Sequence, residues 1–239
     1  VNTIVMVLMI IVSVYPLYYA LINSLNDGQD ITNFGMVLLW PRKFSAQSWK
    51  TVLADASVLK ALWITASRTV IVTVISTIIT TMFAYAFSRN YLLGKKFYAA
   101  LGFVSMYING GIIATFLLIS ALGMYNSYWV YIIPSLFGGF YNVIIYNANF
   151  KAIPESLFES AKIDGASEFK IFFSIVLPLS KPVLAALGVF TACGVWNDYG
   201  TTLFYTQSSS LQTLANYTLK LIKSSQAVEQ LAATVMQSN

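Results

Sequence analysis

The chain has 239 residues, 57% hydrophobic and only 10% charged, with a mean hydropathy of +0.69; this is too apolar for an ordinary soluble domain and points to a lipid bilayer. One cysteine, Cys193, and no histidine exclude an internal disulfide, a Cys/His zinc site and any Cys-His or Ser-His catalytic pair. The net charge of +5, from 14 Lys and Arg against 9 Asp and Glu, is spread over several loops, which marks membrane topology rather than a nucleic-acid surface.

Charged residues are absent from 1–26, 69–88 and 97–150. A helix needs about 20 apolar residues to cross about 30 Å of hydrocarbon, so the longest gap holds two spans. Span one is predicted over 1–21, with no basic leader, and a chain that starts on Val inside a span is expected to be a segment of a longer one. A polar stretch follows over 23–60, with "NDGQD" and "WPRKFSAQSW", and reads as an interfacial, partly extended segment. Span two covers 62–87, and Arg68 near its start is expected to snorkel to the interface.

The loop "SRNYLLGKK" carries three basic and no acidic residues, which assigns it to the cytoplasm. Spans three and four follow over 97–122 and 129–150, returning the chain to the cytoplasmic side at Lys151. Span five covers 177–196. From 198 to 230 the chain is polar again, on the outer side, with a short helix expected at 211–222; 231–239 is too short and polar to cross, and a sixth span is expected beyond it. The fold class expected is all-α: one polytopic transmembrane bundle over 1–239, with a cytoplasmic segment at 151–176 and extracytoplasmic segments at 23–60 and 198–230.

The segment between spans four and five is unusual. Pro154 suits a helix start. Over 154–163, Glu155, Glu159 and Lys162 fall on one face and Leu157, Phe158 and Ala161 on another. Gly165 stands where a left-handed C-terminal residue is needed, and Asp164 or Ser167 can cap the next helix. Pro178 and Pro182 then force a kink. By physics alone this is an amphipathic surface helix, either a plain loop anchor or a docking element.

Glu159, Ala161, Gly165, Ile175, Leu177 and Pro178 reproduce the spacing E-A-A, three residues, G, nine residues, I, one residue, L-P, with Ser160 in place of the first Ala. That pattern resembles the signature of bacterial ABC importer permeases. "IPESLFESAKIDGASEFKIFFSIVLPLSKPVLA" and "VWNDY" resemble the maltose-type branch, and "MYINGGIIATFLLISALGMYNSYW" the multiple-sugar and oligosaccharide permeases. The resemblance implies the type I importer permease fold in a bacterial inner membrane. It also implies a coupling helix that docks on a cytoplasmic ATPase dimer through Leu157, Phe158, Glu159, Ala161, Asp164 and Gly165, with Ile175, Leu177 and Pro178 leading rigidly into span five. ATP and Mg would be held by that ATPase and no cofactor by this chain. The further partners implied are a second homologous permease, an extracellular or periplasmic solute-binding protein and membrane lipid.

Polar groups inside spans are costly unless they face protein or a wet cavity. Asn109, Tyr141, Asn142, Tyr146, Asn147, Trp196, Asn197 and Asp198 are therefore candidates for a sugar path, or equally for hydrogen bonds between helices. The rivals are a permease for a peptide or other non-sugar solute, and an ion-coupled secondary transporter, which would need an acidic group well inside a span. A phosphate-binding loop is missing, since the residue five before Gly94 in "LLGKK" is Arg89.

Overall fold

The computed structural model describes residues 2–108 and 110–238. Among them every regular element is helical, apart from an isolated bridge between Asn26 and Phe44. The chain divides into two compact units, 1–60 and 61–239.

In the first unit, α1 (Asn2–Ser24) buries only Ile22. A polar segment with α2 (Gly28–Phe34) and α3 (Gln47–Ala54) folds onto its C-terminal end. Two asparagines do this work by imitating backbone. Asn23 donates to Val37 O and accepts from Val37 N, both at 2.9 Å, and fully buried Asn26 accepts from Lys43 N at 2.9 Å while donating to Asp30 at 2.8 Å. Asp27 caps α2, and Asp30 pairs with Arg42 at 2.8 Å.

The second unit is organised around α4 (Ala56–Ser88), an unbroken helix whose buried face is lined with hydroxyls, Thr65, Thr69, Ser76, Thr80 and Thr81 among them. Around it lie α5 (Lys95–Tyr107), α6 (Gly111–Ala121), α7 (Trp129–Ile132) with a tight turn to Ser135, and α8 (Gly139–Lys151). They are followed by α9 (Glu155–Ile163), α10 (Glu168–Ile171), a widened π-type turn over Phe172–Val176, α11 (Leu177–Leu179), α12 (Lys181–Asn197), α13 (Gly200–Tyr205) and α14 (Leu214–Ser238).

The five expected spans each fall on one of the apolar helices or helix pairs, but among the described residues only α1 and α4 are single helices both long and apolar enough to cross. Span three is split into α5 and α6 by a bend of 114°, span four into α7 and α8 by 48°, and the approach to span five bends 82° at Ser180. The second and third breaks are tolerable because the freed backbone is sheltered by protein. At the second break Gly138 N donates to Thr80 Oγ1 at 2.9 Å, and a Cβ on Gly138 would meet the hydroxyls of Thr80 and Ser76 at 3.0 and 3.1 Å. At the third, Pro178 offers no N–H, and Ser180 N donates to Val176 O at 3.0 Å.

Three expectations need correction. The rigid lead through Ile175, Leu177 and Pro178 into span five is bent, because two prolines flank Ser180. The short helix expected at 211–222 is the longer α14, since no Gly or Pro occurs after Gly200 to stop it. Arg68 does not snorkel. It is 1% exposed and turned into the unit.

Candidate coupling site

Local chemistry builds α9 as an independent turn of structure. Pro154 stands at its N-cap, and its C-terminus closes through Gly165 N to Lys162 O at 3.0 Å and Ala166 N to Ala161 O at 2.9 Å. This is a Schellman closure, which needs the positive φ of +75° that Gly165 adopts. A Cβ there would meet nothing within 4 Å, so Gly165 faces open space. Ser167, and not Asp164, caps α10 by accepting from Lys170 N.

The helix presents its residues differently from the simple two-face reading. Phe158 is 2% exposed and packs inward with Ile171, Phe172 and Phe150, so it is not part of an outward ridge; Ala161 is half-buried beside it. Leu157, Glu159, Asp164 and especially Ile163 (86% exposed) face outward. The inward side is gripped by Arg89, just past the end of α4. Its guanidinium lies 3.9 Å from the centroid of the Phe158 ring and 5.0 Å from that of Tyr85, and approaches Glu155 at 3.8 Å. Buried cation and ring contacts of this kind are worth up to about 2 kcal/mol.

A second tie runs beside it. Tyr85 OH donates to Glu168 at 2.6 Å, and Lys162 pairs with Glu168 at 3.1 Å while lying over the Tyr91 ring at 4.7 Å. Burial and Glu168 push the Tyr91 hydroxyl up to about 12. Between α4, the 89–94 loop and α10 lies an apolar cavity of about 570 Å³ with Arg89, Tyr91 and Glu168 at its wall. Beyond it, Ile175 and Leu177 are half-buried and Pro178 is exposed.

The polar residues expected in a path differ in exposure and in hydrogen-bond partners. Tyr141 and Trp196 are exposed; Asn197 is exposed but its amide donates to Cys193 O at 2.9 Å. Asn142 is half-buried and donates to Gly138 O, Asn147 keeps a buried Oδ1 with no protein partner, and Tyr146 is 2% exposed within the core. Asn109 lies outside the described residues. Asp198 serves the protein itself: it pairs with Arg68 at 3.3 Å, while Arg68 also donates to Val195 O at 2.6 Å and to Asp198 O, with the Tyr131 ring centroid 5.0 Å away.

The sequence profile of the family described as "Binding-protein-dependent transport system inner membrane component" matches residues 88–236. The chain belongs to this family. Among its relatives, the polygalacturonan/rhamnogalacturonan transport system permease YtcP of Bacillus subtilis is 34% identical over 200 residues, covering 84% of this chain and 69% of YtcP. The galactooligosaccharide permease GanQ of the same organism is 32% identical over 218 residues, covering 88% and 74%. A crystal structure of a bacterial ABC transporter that imports the acidic polysaccharide alginate superposes with a TM-score of 0.83 at 26% identity, over 90% of this chain and 76% of that one.

The protein is thus a multi-pass permease subunit of an ABC importer, with the ATPase on a separate subunit. The permease has two internal anchors that reading the sequence alone missed, Arg68 and Arg89. Their signal was present in the sequence only as charge beside a span, which ordinarily means snorkelling or topology.

Proposed function

We propose that the permease moves an oligosaccharide through a bacterial cytoplasmic membrane, driven at α9 by a cytoplasmic ATPase dimer that holds ATP and Mg. The observation that carries this reading is the outward set Leu157, Glu159, Ile163 and Asp164 on a helix locked from behind by Phe158. It gives a groove on another protein an apolar edge and a carboxylate without loosening the helix. In this reading 151–176 is the cytoplasmic coupling loop of one permease domain spanning 1–239, and 23–60 and 198–230 are extracytoplasmic. The other partners are a second homologous permease and an extracellular or periplasmic binding protein that delivers solute. The sugar class rests on the polygalacturonan, rhamnogalacturonan, galactooligosaccharide and alginate substrates named for its relatives. Tyr141, Asn142, Asn147, Trp196 and Asn197 supply the aromatic faces and amides that carbohydrates bind; Tyr146 and Asp198 support the helices instead.

In the complete complex, Glu159→Lys and Gly165→Trp are each expected to lower binding-protein-stimulated ATP hydrolysis more than tenfold while the permease remains in the membrane. Normal stimulation by both variants would overturn the assignment of α9.

A further inference from the structure

Helix α4 is held by two buried arginines that belong to different machinery, Arg68 twelve positions after its first residue and Arg89 just past its C-terminal end. Arg89, 6% exposed, stacks on Phe158 of α9 at 3.9 Å. Arg68, 1% exposed, holds the C-terminal end of α12 through Asp198 and the Val195 carbonyl, with Tyr131 of α7 against its guanidinium. The two are 21 positions apart, about 31 Å at 1.5 Å per residue, close to the thickness of a hydrocarbon core. Between them α4 is unbroken, whereas the covalent route from α9 to α12 passes a widened turn and an 82° bend at Ser180.

The geometry points to α4 as a rigid strut that carries displacement of α9 to the outer end of α12, with Arg89 and Arg68 as its two positioning joints. This rests on the reading of α9 as the ATPase contact. A straight helix transmits a push along its axis, but a bent connection with a proline on either side absorbs it. Each joint is built to resist slip: α9 cannot slide past Arg89 without losing the contact of its Phe158 ring with the guanidinium, and a buried arginine cannot leave a carboxylate and carbonyls without being stranded as an unpaired charge. Packing along the strut, from Thr80 on Gly138 and Phe87 edge-on to Phe140 at 5.7 Å, keeps α4 in register with α8.

The chain's single cysteine, Cys193, lies exposed on α12 one turn before Asn197 and serves as a reporter. In the complete transporter reconstituted in vesicles, alkylation of Cys193 by N-ethylmaleimide is measured without nucleotide and after trapping with ATP and vanadate. A second reporter is Tyr199→Cys in a Cys193→Ser background. The expected result is a nucleotide-dependent change of at least threefold at one reporter in the otherwise unaltered chain. Arg68→Met, far from α9, should remove most of it while ATP hydrolysis per assembled complex stays within twofold, and Arg89→Met should remove most of it as well. The double variant should be no worse than the more affected single variant, because both joints lie on one route. Arg89→Lys, which keeps the charge and part of the ring contact, should restore part of the response. Reporters that respond equally in the arginine variants, reporters silent in the unaltered chain, or a loss of hydrolysis in Arg68→Met in proportion to its lost response would each overturn the strut. The role of α9 is tested separately by Glu159→Lys, so failure of one reading is distinguishable from failure of the other.

Discussion

At the scale of single residues, the permease uses charge where hydrocarbon chemistry would forbid it, and each case is compensated locally. Arg68 is the clearest: a buried guanidinium held by the Asp198 carboxylate at 3.3 Å and by two carbonyls. Removing a partner from a buried pair costs about 3–5 kcal/mol because the remaining charge is stranded. The Asp198 side chain is 35% exposed, which lowers the effective figure to about 2–3 kcal/mol. Asp198→Ala is therefore expected to reduce the thermal midpoint of the detergent-purified complex by several degrees, and Arg68→Met, which removes the charge as well, by less. Thermal denaturation of the two variants side by side checks the order. Asp198 looked like a substrate contact in the sequence because its partner lies 130 positions earlier, a separation that no local pattern reveals.

At the scale of elements, helices approach one another where a side chain is missing. A Cβ on Gly102 of α5 would lie 2.2 Å from the Phe140 ring of α8, whereas one on Gly188 of α12 would meet nothing within 4 Å. Gly102→Ala is expected to push α5 off α8 at a cost of about 1–3 kcal/mol, and Gly188→Ala to be neutral; folded yield and melting of the two variants report the difference. Features decided within a few residues were legible beforehand: Gly165 closing α9, the cap of α10 narrowed to Asp164 or Ser167, and the Pro178 kink. The inward turn of Phe158 was not, since a short helix with apolar residues on two sides does not say which side meets its own chain. Nor was the break at Gly138, whose backbone N–H is satisfied by Thr80, 58 positions away.

At the scale of the whole molecule, composition pointed to the membrane, charge gaps marked the apolar segments, and one spacing pattern pointed to the family. On the proposed function, ATP-dependent uptake of an oligosaccharide is expected in vesicles holding the complete transporter, and imposed proton or sodium gradients without ATP are expected to drive none. Uptake assays with each energy source alone make the comparison. The grip of Arg89 on Phe158 bears on how such transporters could be rewired. In the proposed coupling role, exchanging residues 155–163 between two permeases would transplant the outward face offered to an ATPase, but the graft would seat only where the host supplies an arginine at the end of its long helix. On the proposed role of α9, the unit that must move is a helix together with its socket, and swaps that respect that pairing are expected to assemble with the donor's ATPase.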